Sequence, residues 1–336
     1  MRIPKFHGTN VIFWIGVVEE RDDSKAEDKL KLGRVQVRVL GYHSPKKTEE
    51  DAAGEGIPTK DLHWAFPIAP ITSASVSGIG TSPLGVVEGS WVFGLSMDGP
   101  PMQELYILGT LPGRPTKRLN PNDQGFCDPN DYYPLDDWLN ESDLSRLARN
   151  ESTGKTSLKD KKGRRETSVR TVKGSWSEPS APYNAQYPYN HVRQSESGHI
   201  EEWDDTEGSE RINREHKSGT FVEWHPDGSE VKKVIGDGYE IHLKDRNCLI
   251  KGTLNITVDG DANIYAKKNL NLKADKNIDI NAKGKISLYA LKGINITTPR
   301  KVTIKGIMGF SAKAVIGRAS VASPVNISTG SAKVVG

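Results

Sequence analysis

Five histidines lie between positions 191 and 242, and four carboxylates cluster at 201–205. His191, His199, His216, His225 and His242 are the side chains that could hold a metal ion. Ligand histidines usually recur as HxH or HxxxH, or beside cysteine pairs. None of the five does so. Glu201, Glu202, Asp204 and Asp205 could form a paired-carboxylate site, which needs a rigid cleft to drive two pKa values apart. They fall in short hairpin-like runs, with turns at Ser218-Gly219 and Asp227-Gly228, and read as surface strand and turn residues. Cys127 and Cys248 are far apart and form no CxxC pair, so both thiols are expected free. The glycine-rich stretch Ser77–Gly85 lacks the Lys-Ser/Thr and helix that a phosphate loop requires, and reads as a surface loop contacting a partner. No catalytic, metal or cofactor residue is expected.

The strongest signal in the chain is geometric. From Leu249 to Ala312 the sequence divides into eight octads without a gap. The sixth and eighth positions are apolar throughout, and their large side chains are Leu254, Ile256, Ile264, Leu270, Leu272, Ile278, Ile280, Ile286, Leu288, Ile294, Ile296, Val302, Ile304 and Phe310. The fourth position is usually Gly, Lys or Arg, as at Gly252, Gly260, Lys268, Lys276, Gly284 and Lys292, where a bend or a solvated cation fits. Eight is an even number, so strand parity carries from one octad to the next and even-numbered residues share one face. A helix needs period 3.6, which the segment does not show. Strands of about six residues joined by short corners are predicted. One chain cannot bury so narrow a strip, but three wrapped about an axis can. A meander with one wet face would need turn signals that are scarce here.

Composition bounds the rest. At 336 residues the chain has room for two or three domains. It shows no signal peptide and no apolar run long enough to span a bilayer. The net charge of +3 divides unevenly, with fourteen Lys/Arg against four Asp/Glu from Leu249 onward. Many of those cations recur at fixed octad positions without aromatic interleaving, which reads as a solvated, self-repelling rod surface rather than a nucleic-acid groove. Attraction to an anionic envelope is the functional form of the same observation.

The predicted fold is all-β. Residues 1–112 are read as a five-stranded OB-type barrel with strands at 13–19, 32–43, 62–71, 90–97 and 104–111. Its expected core is Trp14, Val35, Val37, Val39, Trp64 and Trp91, with Phe66 and Phe93 also at apolar strand positions. Arg34, Gln36 and Arg38 are expected outside, and Pro67 and Pro70 place the third strand at an edge. Residues 113–190 read as an extended Pro/Gly/charged linker, with one short helix at Ser142–Arg149 capped by Ser142 or Asn140. Residues 191–248 form a short-strand neck, 249–312 the octad rod, and 313–336 a narrow tip.

Three stretches resemble the central spike proteins of T4-type contractile phages and, more distantly, type VI secretion spikes. They are WIGVVEERDDSKAEDKLKLGRVQVRVLGYH with GIPTKDLHWAFPIAPITSASVSGIG, then YPYNHVRQSESGHIEEWDDTEGSERINREHKSGTFVEW, then the octads. The resemblance implies a homotrimer ending in an intertwined triple-stranded β-helix. It further implies an OB domain docked on a trimeric hub protein, a needle aimed at the host envelope and a small PAAR-type tip protein. The implied location is the virion's tail tip, after assembly in the host cytoplasm. The T4-type spike carries a lysozyme domain between OB domain and needle. Here that interval is under 80 residues, against roughly 150 for a lobed lysozyme, so no glycosidase activity is expected from Glu141, Asp143, Glu151 or Asp160. A hub-associated peptidoglycan hydrolase and a type VI-like spike are the alternatives.

Overall fold

The computed structural model describes residues 11–47, 56–114, 117–151 and 167–303. It divides into two units, Met1–Asp261 and Ala262–Gly336.

The first unit opens with a closed barrel. Its strands are β1 (Ile12–Glu20), β2 (Val35–Val39), β3 (Trp64–Pro67), β4 (Trp91–Ser96) and β5 (Leu105–Thr110), in the order β1-β2-β3-β5-β4. All pairs are antiparallel except β3 with β5. β3 is therefore interior to the barrel, not an edge strand. Pro67 is tolerated because it ends the strand, and the ladder continues through the Ile68 amide donating to the Ile107 carbonyl. Alternation in β2 sends Val35, Val37 and Val39 inward, where they pack with Trp14, Val18, Ala65, Val92, Leu105 and Ile107. Trp14 faces Gly94 across the β1–β4 pair. A Cβ on Gly94 would fall on the indole ring, so the glycine makes room for the largest core side chain.

The outward residues of β2 correct the sequence reading. Arg34, just before the strand, and Gln36 and Arg38 within it are all buried, Arg38 completely so at 0 % exposure. The Arg38 guanidinium donates to both oxygens of Glu19 at 2.6 and 3.1 Å, and to the Ser44 and Ile57 carbonyls at 2.7 and 2.6 Å. The cover comes from the interval read as a linker, whose residues 123–126 form a strap over this part of the barrel. Gly125 donates to the Pro45 carbonyl, Lys46 bridges to Gln124, and the Phe126 amide donates to Glu19. A Cβ on Gly125 would fall on the Arg38 guanidinium. Gly125→Ala should therefore destabilise the barrel by about 1–3 kcal/mol in urea unfolding. Gly109→Ala, with open space at its Cβ, should stay within about 0.5 kcal/mol of the parent.

Four aromatic positions also differ from expectation. Trp91 lies on the outer face, 38 % exposed, and stacks on Phe126 of the same strap. Trp64 is half-buried, with the Arg34 guanidinium over its ring. Phe66 is exposed and Phe93 half-buried. In each case the strand alternates as predicted but the aromatic occupies the outward parity.

His43, four residues past the end of β2, accepts the Val39 amide on Nδ1 at 2.8 Å. Burial lowers its pKa to about 4, with Arg38 and His63 adding to the shift and Glu19 opposing it. The unfolded chain then takes up a proton near pH 6.5 that the folded barrel refuses until about pH 4. His43 thus favours folding above pH 6.5, and that contribution is lost as pH falls through the interval. Urea midpoints measured from pH 7 to 4 should show this fall, and His43→Asn, which keeps an acceptor, should flatten it.

After the strap come a four-residue helix α1 (Arg146–Arg149), a hairpin of β6 (Ser168–Thr171) and β7 (Gly174–Ser177), and a five-stranded meander. The predicted helix at 142–149 is shortened because Asn140 takes a left-handed backbone and Ser142 turns its hydroxyl to the Leu144 amide. Neither residue caps it, since Ser145 holds the N-cap position without a side-chain bond. The meander runs β8 (Asn190–Gln194), β9 (Ile200–Asp204), β10 (Arg211–Glu215), β11 (Phe221–Trp224) and β12 (Glu230–Lys233). Gly219 and Gly228 sit at positive φ in its last two turns, where the sequence placed them.

Candidate functional site: the octad strip and the neck

The backbone bends at 235–236, 243–244, 251–252, 259–260, 267–268, 275–276, 283–284, 291–292 and 299–300, each eight residues after the last. Gly252, Gly260, Lys268, Lys276, Gly284 and Lys292 each form the second residue of a bend. Between bends none of the described residues pairs into a strand. The apolar positions stay uncovered. Sixth-position Leu254, Leu270, Ile278, Ile286, Ile294 and Val302 are 50–63 % exposed. Eighth-position Ile256, Ile264, Leu272, Ile280, Leu288 and Ile296 are 70–82 % exposed. Odd-parity Leu249, Tyr265, Tyr289 and Leu291 are more exposed still, at 83–89 %, so the even set shares the more sheltered side. Ile304, Phe310 and the tip at 313–336 lie outside the described residues.

The neck sheet has its faces inverted. Glu202, Asp204, Arg211, Asn213 and Glu223 are buried, which corrects the reading of Glu202 and Asp204 as surface groups. Arg211 pairs with Glu202 and, at 2.9 Å, with Glu223. Asn213 and Asn190 donate to the two Glu202 oxygens at 3.1 and 3.2 Å. The covering layer is local. The Arg211 guanidinium lies over the Tyr183 ring, and both Tyr183 and Asn190 bond the Leu147 carbonyl of α1. Burial works against the charged Arg211, but Glu202 and Glu223 overcome it and raise its pKa. The opposite face carries Trp203, Ile212 and Trp224, which are adjacent across β9, β10 and β11 and exposed. On that second face the three apolar side chains stand beside the solvent-exposed ion pair of Arg214 with Glu201.

The barrel also exposes an apolar side. Phe13 and Phe93 stack at 5.7 Å, and Ile15, Leu40 and Tyr42 line the groove beside them. No arrangement of the described residues gathers three His, Cys, Asp or Glu side chains on one point.

A family model described as the Gp5 N-terminal OB domain matches residues 41–194. Protein Gp5 of Vibrio phage KVP40 is 46 % identical over 281 residues, covering 75 % of this chain and 64 % of the relative. The chain is a relative of the phage Gp5 proteins. The pre-baseplate central spike protein Gp5 of Enterobacteria phage T4 is 45 % identical over 126 residues, covering 37 % of this chain and 20 % of the relative. The chain therefore spans less than two thirds of the length of these curated relatives. The Gp5 OB match begins just after β2, includes β3 to β5, and runs on through the strap into β8. That extent agrees with the strap being packed on the barrel.

The buried polar network was missed in the sequence because alternating Glu and Asp in a short strand reads as a wet face. One available signal was the other parity of the same strands, where Trp203, Ile212 and Trp224 stand.

Proposed function

We propose that the chain is the central spike of a contractile phage baseplate, assembled as a homotrimer. The observation that carries this reading is the run of bends at a strict eight-residue interval, with apolar sixth and eighth positions left uncovered by the chain itself. Three copies wound about a common axis would bury those side chains and pair the free strand edges as a triple-stranded β-helix. The exposed Trp203–Ile212–Trp224 row supports the same reading, since it gives the neck an apolar surface for a neighbouring copy. The name of the T4 relative agrees with it.

In this reading the barrel docks on a trimeric hub protein through the Phe13/Phe93 side, and nucleic acid is no partner. The rod points at the host envelope, tipped by a small PAAR-type protein, and the particle is built in the host cytoplasm. The spike works mechanically: many short strands shared among three chains resist axial load and unfold slowly. It carries no glycosidase. Fewer than 80 residues separate β5 from β8, and among the described ones Asp123 to Phe126 bond to the barrel, Tyr183 and Gln186 bond to α1 and the neck segment, and 168–177 form the β6–β7 hairpin. Purified full-length protein added to dye-labelled peptidoglycan should release no dye above a buffer control, and negative-stain images should show a slender rod on a wider head. Dye release at a rate rising with protein concentration, or images without a rod, would contradict the proposal.

A further inference from the structure

We propose that Glu240, His242 and Arg246 form a polar rung at the base of the rod, facing its axis, where charges from three chains pair and fix the register in which the octads stack. This rests on the trimeric reading above. The bends begin at Ile235–Gly236 and Leu243–Lys244, two intervals before the sequence repeat becomes visible at Leu249. Gly236 and Lys244 hold the same corner position, with the same residue types, as the later corners. By backbone geometry, 233–240 and 241–248 are therefore octads. Their sixth and eighth residues are Gly238 and Glu240, then Arg246 and Cys248, where every following octad has apolar groups.

These polar side chains converge. Glu240 Oε1 lies 2.8 Å from His242 Nε2 and 2.8 Å from Arg246 Nη1. His242 shares the even parity of Glu240. Arg246 lies beyond the bend at 243–244, and two side chains that meet across a bend sit on its inner side. By parity the group thus falls at the even-numbered positions that the following octads fill with apolar side chains.

Register is what such a rung can supply. The apolar octads resemble one another, and sliding one chain by eight residues exchanges Ile for Leu at little cost. A slip at this rung would instead carry one chain's Glu240, His242 and Arg246 as a group against the aliphatic positions of its neighbours, placing charges in a desolvated seam away from the matching groups of the other two chains. Polar residues within apolar seams fix alignment in coiled coils by the same means. Each chain brings one anion, one cation and one imidazole, so three copies match opposite charges without accumulating net charge.

The test uses the full-length chain carrying C127S, with Cys248 as the reporter two residues past Arg246. A short bis-maleimide should join Cys248 between chains of an in-register trimer. E240R should lower the cross-linked fraction at least fivefold, and E240R/R246E should restore it. E240R trimers that cross-link as well as the parent would overturn the proposal. If E240R fails to assemble, recovery of trimer in the double variant supports the rung, and no recovery overturns it. A monomeric parent in light scattering would instead defeat the trimeric reading itself, so the two failures are distinguishable.

Discussion

Ile280→Asp should abolish trimer assembly, while Lys276→Glu, four residues away, should leave it intact. Ile280 is an eighth-position side chain, 70 % exposed in the single chain, and Lys276 forms a bend. In a threefold rod the first substitution sets three carboxylates together in an apolar core. Uncompensated buried charge costs several kcal/mol per ion, more than the roughly 2 kcal/mol that each inward Ile contributes. The second substitution alters a solvated corner and should change stability by less than about 0.5 kcal/mol. Size-exclusion chromatography with light scattering separates the outcomes. If both variants behaved alike, the assignment of inward and corner positions would be wrong.

Arg211→Ala should unfold the neck at much lower urea than the parent. Arg211 is the cation between Glu202 and Glu223, and all three are buried. Removing it leaves two carboxylates facing each other without water, at a cost of about 3–5 kcal/mol. Glu202→Gln should cost less, because it removes a charge while keeping acceptor and donor atoms for Arg211 or the asparagines. Circular dichroism across a urea titration would show the ranking. Equal midpoints for Arg211→Ala and the parent would mean that the network contributes nothing to folding.

The contrast between these two regions explains what the sequence discloses. The octads are legible because the same physical demand recurs at a fixed spacing, so each bend repeats the information in the last. The barrel strands are legible for a related reason, as alternation alone places Val35, Val37 and Val39 inside. Arg38 is not legible, since a cation at an outward strand position normally meets water. Its burial depends on Glu19, on the carbonyls of Ser44 and Ile57, and on Gly125, which come from four separate parts of the chain. Trp91 fails for the same reason: its partner Phe126 belongs to a strap whose proline and glycine content reads as spacer. In the neck the outward-looking charges are the buried ones, because α1 and Tyr183 close over them. Gly236 and Lys244 were readable as corners, but the polar residues beside them broke the apolar pattern that announces the repeat.

The first segment of the rod and its neck thus bear two different loads in this account. The network around Arg211 holds one chain's sheet together, and the octads hold three chains to each other. Light scattering of the intact protein, at a concentration where circular dichroism shows it folded, tests that second claim most directly. The account predicts a single species of three chain masses. A folded species of one chain mass would contradict it.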